Sequence, residues 1–379
     1  MRKIFDYLKK EPMLALSLLA AAAGLIITPP SAALLGAIDW RTLGTLLMML
    51  CVLEGFKQEN VLRPVVNLAG GLGTMAALTA FLVFGVFFSS MFVTNDVSLL
   101  IFVPLTILLF RKAGKEGYIL PVISMENIAA VRGSLLTPFG SPQNLFLYGR
   151  AGVSAGHFML HMLPLCLMSA VLLIAFILFL YRKDLGERAD YGAGELMERR
   201  PGFKRWMYLG LFVLILAVIV TRTGLWPWAL VIVLGAIAAC DRRLFLKVDY
   251  ALIVTFLCFF VFSSSIAANP AIAGFLERTV AGNEYWWAIG LSQLISNVPA
   301  SIVLYPFTEN FAGLIYGADT AGLCSLIGSL ASVINYRIYV REYPGRGGDF
   351  VKTFTLVSWA FFAIVVIPGL LLSRWSFFA

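Results

Sequence analysis

The chain has 379 residues, 60% of them hydrophobic and only 13% charged, with 29 Lys and Arg against 21 Asp and Glu for a net charge of +8. An ordinary soluble domain is about 25% charged, so a soluble enzyme of this size would expose far too much apolar surface. A disordered chain is excluded by the hydrophobicity, and a disulfide scaffold by five cysteines that lie in apolar runs without CxxC spacing. What remains is a polytopic membrane protein with room for about ten spans of ~20 residues each.

Arg2, Lys3, Lys9 and Lys10 precede the first apolar run, as in a signal peptide. That run is longer than a usual signal core and is followed by Pro29-Pro30, so it reads as an uncleaved first span at 13–28. Further spans are predicted at 41–56, 157–181, 207–223, 226–240, 250–268 and 353–373. Runs at about 119–149 and 319–340 are interrupted by Gly, Ser or Pro and read as broken helices. Runs at about 70–110 and 285–307 carry a polar break near the middle and read as re-entrant hairpins. The predicted fold is all-α, with about nine full spans plus two hairpins. Non-helical backbone at membrane depth survives only inside protein or beside a water-filled cavity, so each break points to a site.

Cytoplasmic loops carry an excess of Lys and Arg. With the N-terminus in the cytoplasm and both hairpins re-entrant, only Arg41, Arg150, Arg222, Arg278 and Arg374 fall outside, and Arg132 alone stays within the membrane. The expected protein is therefore integral to the cytoplasmic membrane, with its C-terminus outside. Dispersed over short loops, the basic excess is topological and implies no nucleic-acid partner.

The segment 182–206 is the sizeable polar linker, predicted to be cytoplasmic, and it divides the chain into 1–181 and 207–379. Four features recur across it in order. Ile38-Asp39-Trp40 and Val248-Asp249-Tyr250 each start a span. Thr94-Asn95-Asp96-Val97 and Ser296-Asn297-Val298-Pro299 lie in the hairpins, with Pro104 and Pro306 each nine residues after the Asn. The broken helices hold Phe139-Gly140-Ser141-Pro142-Gln143-Asn144 and Ile327-Gly328-Ser329-Leu330-Ala331-Ser332. On the predicted topology the two halves are inverted, the architecture that secondary transporters favour, with helix breaks meeting near the midplane. Half-helix N-termini there offer N–H groups to an anion.

Thr94-Asn95-Asp96-Val97 with the following Pro104, and then Thr137-Pro138-Phe139-Gly140-Ser141-Pro142-Gln143-Asn144, resemble the ion transporter superfamily over about residues 10 to 375. This clan includes divalent-anion/sodium symporters, citrate-transporter-like permeases, arsenite permeases and sodium/proton antiporters. The nearest likeness is to citrate-transporter-like permeases close to the arsenite branch. The resemblance implies two inverted repeats whose hairpin tips, here Thr94-Asn95-Asp96 and Ser296-Asn297-Val298, hold the substrate anion and help to bind sodium. It also maps the symporters' Thr-Pro-Pro-Asn break onto Ser141-Pro142-Gln143-Asn144 or a start at Thr137-Pro138. The chain departs from the pattern at Asp96 and Val298, where the symporters have a hydroxyl, and in the second break, which lacks Pro.

Several residues carry two readings. Asp96 is a proton carrier or sodium ligand, or else a structural partner of Arg132. Asn95 and Asn297, with Thr94 and Ser296, bind at the tips or cap helices. Arg132 grips an oxyanion or neutralises Asp96 or Glu126. Glu126 is a second coupling candidate, with Asn127 beside it. Ser141, Gln143, Asn144, Ser329 and Ser332, with Thr137, Gly140 and Gly328, supply oxygens for a hard cation such as sodium at the breaks, or satisfy orphaned backbone groups. Glu54 reads as interfacial beside Lys57, Trp286 and Trp287 as an aromatic belt, and His157 and His161 as structural. No Walker, GxSxG or HExxH motif is present, so no enzyme activity and no cofactor are expected beyond sodium ions or protons as coupling ions. The expected function is a secondary transporter for a small inorganic or organic anion, or an oxyacid such as arsenite. A sodium/proton antiporter is the alternative. Membrane lipid is an expected partner, and a homodimer is allowed but not required.

Overall fold

In lipid every backbone polar group must be satisfied internally, which leaves helices as the solution for runs this apolar. The computed structural model describes residues 12–28, 36, 38–61, 72–188, 202–221 and 224–375, and its regular elements are helical. In chain order they are α1 (Pro12–Ile27), α2 (Trp40–Gln58), α3 (Met75–Val93), α4 (Asn95–Lys112), α5 (Ile119–Ser134), α6 (Pro142–Ala151), α7 (Ala155–Leu180) and α8 (Phe203–Thr221). Then come α9 (Trp226–Asp241), α10 (Tyr250–Ala267), α11 (Pro270–Val280), α12 (Glu284–Ile295), α13 (Asn297–Leu304), α14 (Phe311–Ala321), α15 (Leu330–Glu342) and α16 (Gly347–Ser373). The helices α3, α7, α8, α10 and α16 are long and apolar enough to cross a membrane. Their outward faces carry exposed Val171, Phe179, Val213 and Leu356, a surface suited to lipid and not to water.

The two broken helices form the centre. Every residue of α5 from Val122 to Ser134 is buried, as is every residue of α14 from Ala312 to Ala321. Around them the packing alternates between halves. The second arm of the first hairpin, α4, lies on α15, and the second arm of the other, α13, lies on α6. Each hairpin's first arm lies on its own half's broken helix, α3 on α5 and α12 on α14.

The first hairpin is folded back on itself. Ser89 Oγ donates to Ser98 Oγ at 2.8 Å across the tip, where a continuous helix would separate them by about 13 Å. A Cβ at Gly85 would overlap the Phe102 ring, so glycine is what lets the arms close. The span starts also match. Asp39 and Asp249 are N-caps with φ −82°, ψ 81° and φ −78°, ψ 85°, and each carboxylate accepts from the backbone N–H three residues on.

Ion pairs keep the two predicted faces separate. Arg111 pairs with Glu342 (3.0 Å), Lys115 with Glu187, and Lys204 with Asp241 (3.1 Å), all in segments assigned to one side. Arg150 pairs with Asp39 (3.1 Å) on the other. Glu187 holds the Lys115 ammonium above the usual lysine range by hydrogen bonding and charge.

Some boundaries differ from the sequence reading. The second broken element begins at Phe311 instead of 319, because Asn310 caps it by accepting from Gly313 N–H and the polar 308–310 stretch hid the start. The last helix begins at Gly347, six residues before the apolar run, since Asp349 and Lys352 lie within its first turns. The surface helix α11, capped by Asn269 with Pro270 at its first position, has no apolar run to announce it. Arg2, Lys3, Lys9, Lys10, Pro29-Pro30, Arg222 and linker residues 189–201 lie outside the described residues.

Candidate functional site

The hairpin tips are single residues with the same unusual backbone. Thr94 has φ 70°, ψ 156° and Ser296 has φ 69°, ψ 160°. This region is essentially reserved for glycine and costs of order 1–3 kcal/mol for other residues. The only other non-glycine residue with positive φ among the described residues is Asn60. Two strained hydroxyl residues thus stand at the two positions matched from sequence. Neither caps the helix that follows with its side chain, so the first-turn N–H groups of α4 and α13 are left uncapped by it. By contrast, Ser141 and Ser329 cap α6 and α15, accepting from Asn144 N–H and Ala331 N–H at 3.3 Å each. For these two serines the capping reading is the one observed. Thr94→Gly and Ser296→Gly are each expected to raise thermal stability by about 1 kcal/mol, because glycine relieves the strain. A loss of stability in detergent-purified protein would contradict the tip geometry.

Each break is stitched to its own tip. Thr137 Oγ1 donates to the Met91 carbonyl at 2.5 Å, three residues before Thr94. Gln293, three residues before Ser296, donates to the Ala321 carbonyl at 3.3 Å and accepts from Ser325 Oγ at 2.6 Å. Gly140 and Gly328 sit against the carbonyls of Ser134 and Ala321, the last residues of the two first half-helices, where a Cβ would overlap. The Asn144 amide nitrogen donates to the carbonyls of Ser134, Leu135 and Thr137 (3.1–3.3 Å). Those carbonyls only accept, so the orientation is fixed and Asn144 Oδ1 is left buried without a hydrogen-bond partner. Gln143 is buried beside it.

Asn95 Oδ1 accepts from Asp96 N–H at 3.0 Å, and Asp96 keeps a buried Oδ1 with no partner. Asn297 is buried, its Oδ1 3.5 Å from Ser296 Oγ. A cleft of about 50 Å³ is lined by Asp249, Thr255, Ser296, Val298 and Leu330.

The sequence reading offered Asp96 or Glu126 as a structural partner for Arg132, and the structure pairs it with neither. Arg132 Nη1 donates to Asp319 on α14, and Nη2 donates to Thr320 Oγ1 at 3.3 Å; both ionic side chains are buried. Glu126 instead accepts from Thr106 Oγ1 on α4. Asp319 lies nine residues before Gly328, as Arg132 lies eight before Gly140, so the pair joins near-equivalent positions of the two breaks. Sequence reasoning missed Asp319 by starting the second broken helix on it, although an acid in the apolar stretch 311–323 was the available signal. Asn335, Thr106 and Gln293 were missed too, as lone polar residues in helices. Glu54, read from sequence as interfacial beside Lys57, pairs with that lysine at 3.2 Å. His161 faces Trp375, its Nε2 3.3 Å from that carbonyl, and no group of three metal-ligating side chains occurs among the described residues.

Residues 7–313 match the family described as citrate transporter. The chain belongs to the citrate transporter family. It is a membrane transporter, integral to the bilayer. Relatives of this citrate transporter family member include inner membrane protein YbiR of Escherichia coli, 34% identical over 307 residues and 80% of each chain. An uncharacterized transporter of Methanocaldococcus jannaschii is 27% identical over 303 residues, 79% of this chain and 81% of that one. A 46 kDa membrane protein of Mycobacterium leprae is 24% identical over 342 residues, 79% of each.

Proposed function

We propose that the protein is a secondary active transporter that moves a small anion or oxyacid across the cytoplasmic membrane by alternating access, coupled to sodium or protons. The observation that carries this reading is the pair of tips, Thr94 and Ser296, held in one strained backbone conformation at matched places in the two halves. On this reading residues 1–181 and 207–379 are inverted repeats, and their tips and breaks bound one midplane site. Thr94, Asn95, Ser296, Asn297, Gln143 and Asn144 bind the cargo or its ion. Asp96, placed in the first turn of α4 with an unpartnered oxygen, couples ion movement to cargo.

The sodium/proton antiporter reading keeps support from one specific observation. Asp96 and Glu126 each have a buried oxygen without a partner, while Arg132 is occupied by Asp319 instead of standing free for an anion. Proteoliposome flux separates the two. The panel sets sodium against potassium at two pH values, with dicarboxylates, sulfate, phosphate and arsenite. Gradient-driven uptake of one cargo supports the first reading, and sodium/proton exchange without any cargo supports the second. Asp96→Asn is expected to abolish accumulation while exchange partly survives, because Asn keeps an acceptor oxygen and the shape. Wild-type accumulation in that variant, with unchanged pH and sodium dependence, removes Asp96 from the mechanism.

The cation bias places the N-terminus and the 182–206 linker inside and the C-terminus outside. Single cysteines at Glu195 and Ala379 are then expected to label from opposite faces of oriented vesicles. Labelling of both from one face sinks the orientation.

A further inference from the structure

The seam where α4, α5 and α15 meet carries polar side chains that neither hairpin tip uses. Thr106, Glu126, Asn127, Ser332 and Asn335 are all completely buried there. Ile123 and Asn127 are four residues apart on α5, and Ser332 and Asn335 three apart on α15, so each pair shares a helix face. The two faces are bonded together. The Asn335 amide nitrogen donates to the Ile123 carbonyl at 2.7 Å, and the Asn127 amide nitrogen donates to Ser332 Oγ at 3.0 Å. A carbonyl only accepts, so Asn335 cannot turn over, and its Oδ1 is left without a partner. Asn127 Oδ1 is likewise without one. Glu126, the neighbour of Asn127, gives Oε1 to the Thr106 hydroxyl and keeps Oε2 unpartnered.

We infer that these oxygens form a site for one monovalent cation, sodium, held by Glu126 Oε2, Asn127 Oδ1 and Asn335 Oδ1, with the Thr106 and Ser332 hydroxyls beside them. The assignment rests on the coupled-transport reading, and it places the ion in a helix seam instead of at the helix breaks. A buried carboxylate without a counter-charge is strongly unfavourable, and among the described residues no salt bridge reaches Glu126. The nearby Arg132 is committed to Asp319. A proton on Glu126 would remove its charge, yet it supplies one donor and leaves an amide oxygen unsatisfied. A cation satisfies all three oxygens together, and hard cations take carboxylate and amide-carbonyl ligands. One carboxylate balances one positive charge, whereas a divalent ion would leave a net charge buried. The corresponding positions of the second half, Gly313 and Leu314, have no side-chain oxygen, so the site occurs once.

The test is thermal unfolding of the detergent-purified full chain in sodium, lithium, potassium and N-methyl-D-glucamine chlorides at constant ionic strength and two pH values, with direct binding of radioactive sodium. Wild type is expected to gain stability with sodium in a saturable way and to bind one ion per chain. Glu126→Gln keeps the shape and removes the charge, and is expected to lose sodium binding while unfolding normally in N-methyl-D-glucamine. If that variant does not fold, Asn127→Ala is expected to weaken sodium binding at least tenfold. Unchanged sodium binding in whichever variant folds overturns the site. A wild-type response to pH with none to sodium also overturns it, and leaves Glu126 as a proton carrier. Parallel flux measurements keep the two readings apart. Sodium bound by wild type and lost in the variant, with no cargo moved in any gradient, retains the site and removes the anion-transport reading. Sodium-independent accumulation without sodium binding does the reverse.

Discussion

Asp319→Asn is expected to destabilise the protein by about 3–5 kcal/mol, because it leaves the buried Arg132 guanidinium charged and uncompensated. The pair is buried on both sides, and its further bond from Arg132 to Thr320 does not reach a second acid. Arg132→Met alone is expected to cost a similar amount by stranding the Asp319 carboxylate. The double variant Arg132→Met/Asp319→Leu is expected to recover most of the loss, since replacing a buried pair by apolar residues of similar size is often neutral. A double-mutant cycle on thermal unfolding reads the coupling. Additive single effects would sink the pairing. The same double variant decides what Arg132 does in transport. If the guanidinium only ties α5 to α14, recovered stability brings recovered cargo affinity. If it grips an anion, affinity stays low in a stable protein. The structure favours the first outcome, because Asp319 already occupies Nη1 and Thr320 receives Nη2.

What could be read from the sequence was what local chemistry dictates. Long apolar runs marked helices, five of which are long and apolar enough to cross a membrane, and Asp39 and Asp249 gave matching helix starts that the backbone angles repeat. The hydroxyl-Asn pairs located both tips to the residue, because a polar pair inside an apolar run has few alternatives at membrane depth. The partners of the charges could not be read. Arg132 finds Asp319 across 187 positions of sequence, and nothing in either segment names the other. Asn335 is one amide in a helix that also carries Arg337 and Arg341, so its sequence neighbourhood looks like an exposed helix end. Only the packing of α15 on α4 and α5 takes it out of water. Boundaries failed where polar residues sit in a helix's first turns, as at Gly347, because hydropathy reports transfer to lipid and not helicity.

Gly328→Ala is expected to be strongly damaging for a single added methyl. The added Cβ would overlap the carbonyl oxygen of Ala321 and approach Gln293 Nε2 to 3.3 Å. The first obstacle is backbone at the end of α14, and the second is the side chain that bonds both Ala321 and Ser325. Neither can give way without moving the break relative to the Ser296 tip. Overpacking of this kind costs roughly 1–3 kcal/mol, and more where backbone must shift. Gly140→Ala meets the Ser134 carbonyl in the same way and is expected to behave alike. Both variants are expected to lose transport even where some protein folds, since each moves a break away from the tip it is stitched to. Gly274 on α11 and Gly290 on α12 are the controls, because a Cβ at either meets nothing within 4 Å. Alanine there removes the helix penalty of glycine and is expected to be neutral or to stabilise by up to about 1 kcal/mol. Equal losses at Gly290 and Gly328 would show that the sensitivity belongs to glycine content in general and not to the meeting of break and tip.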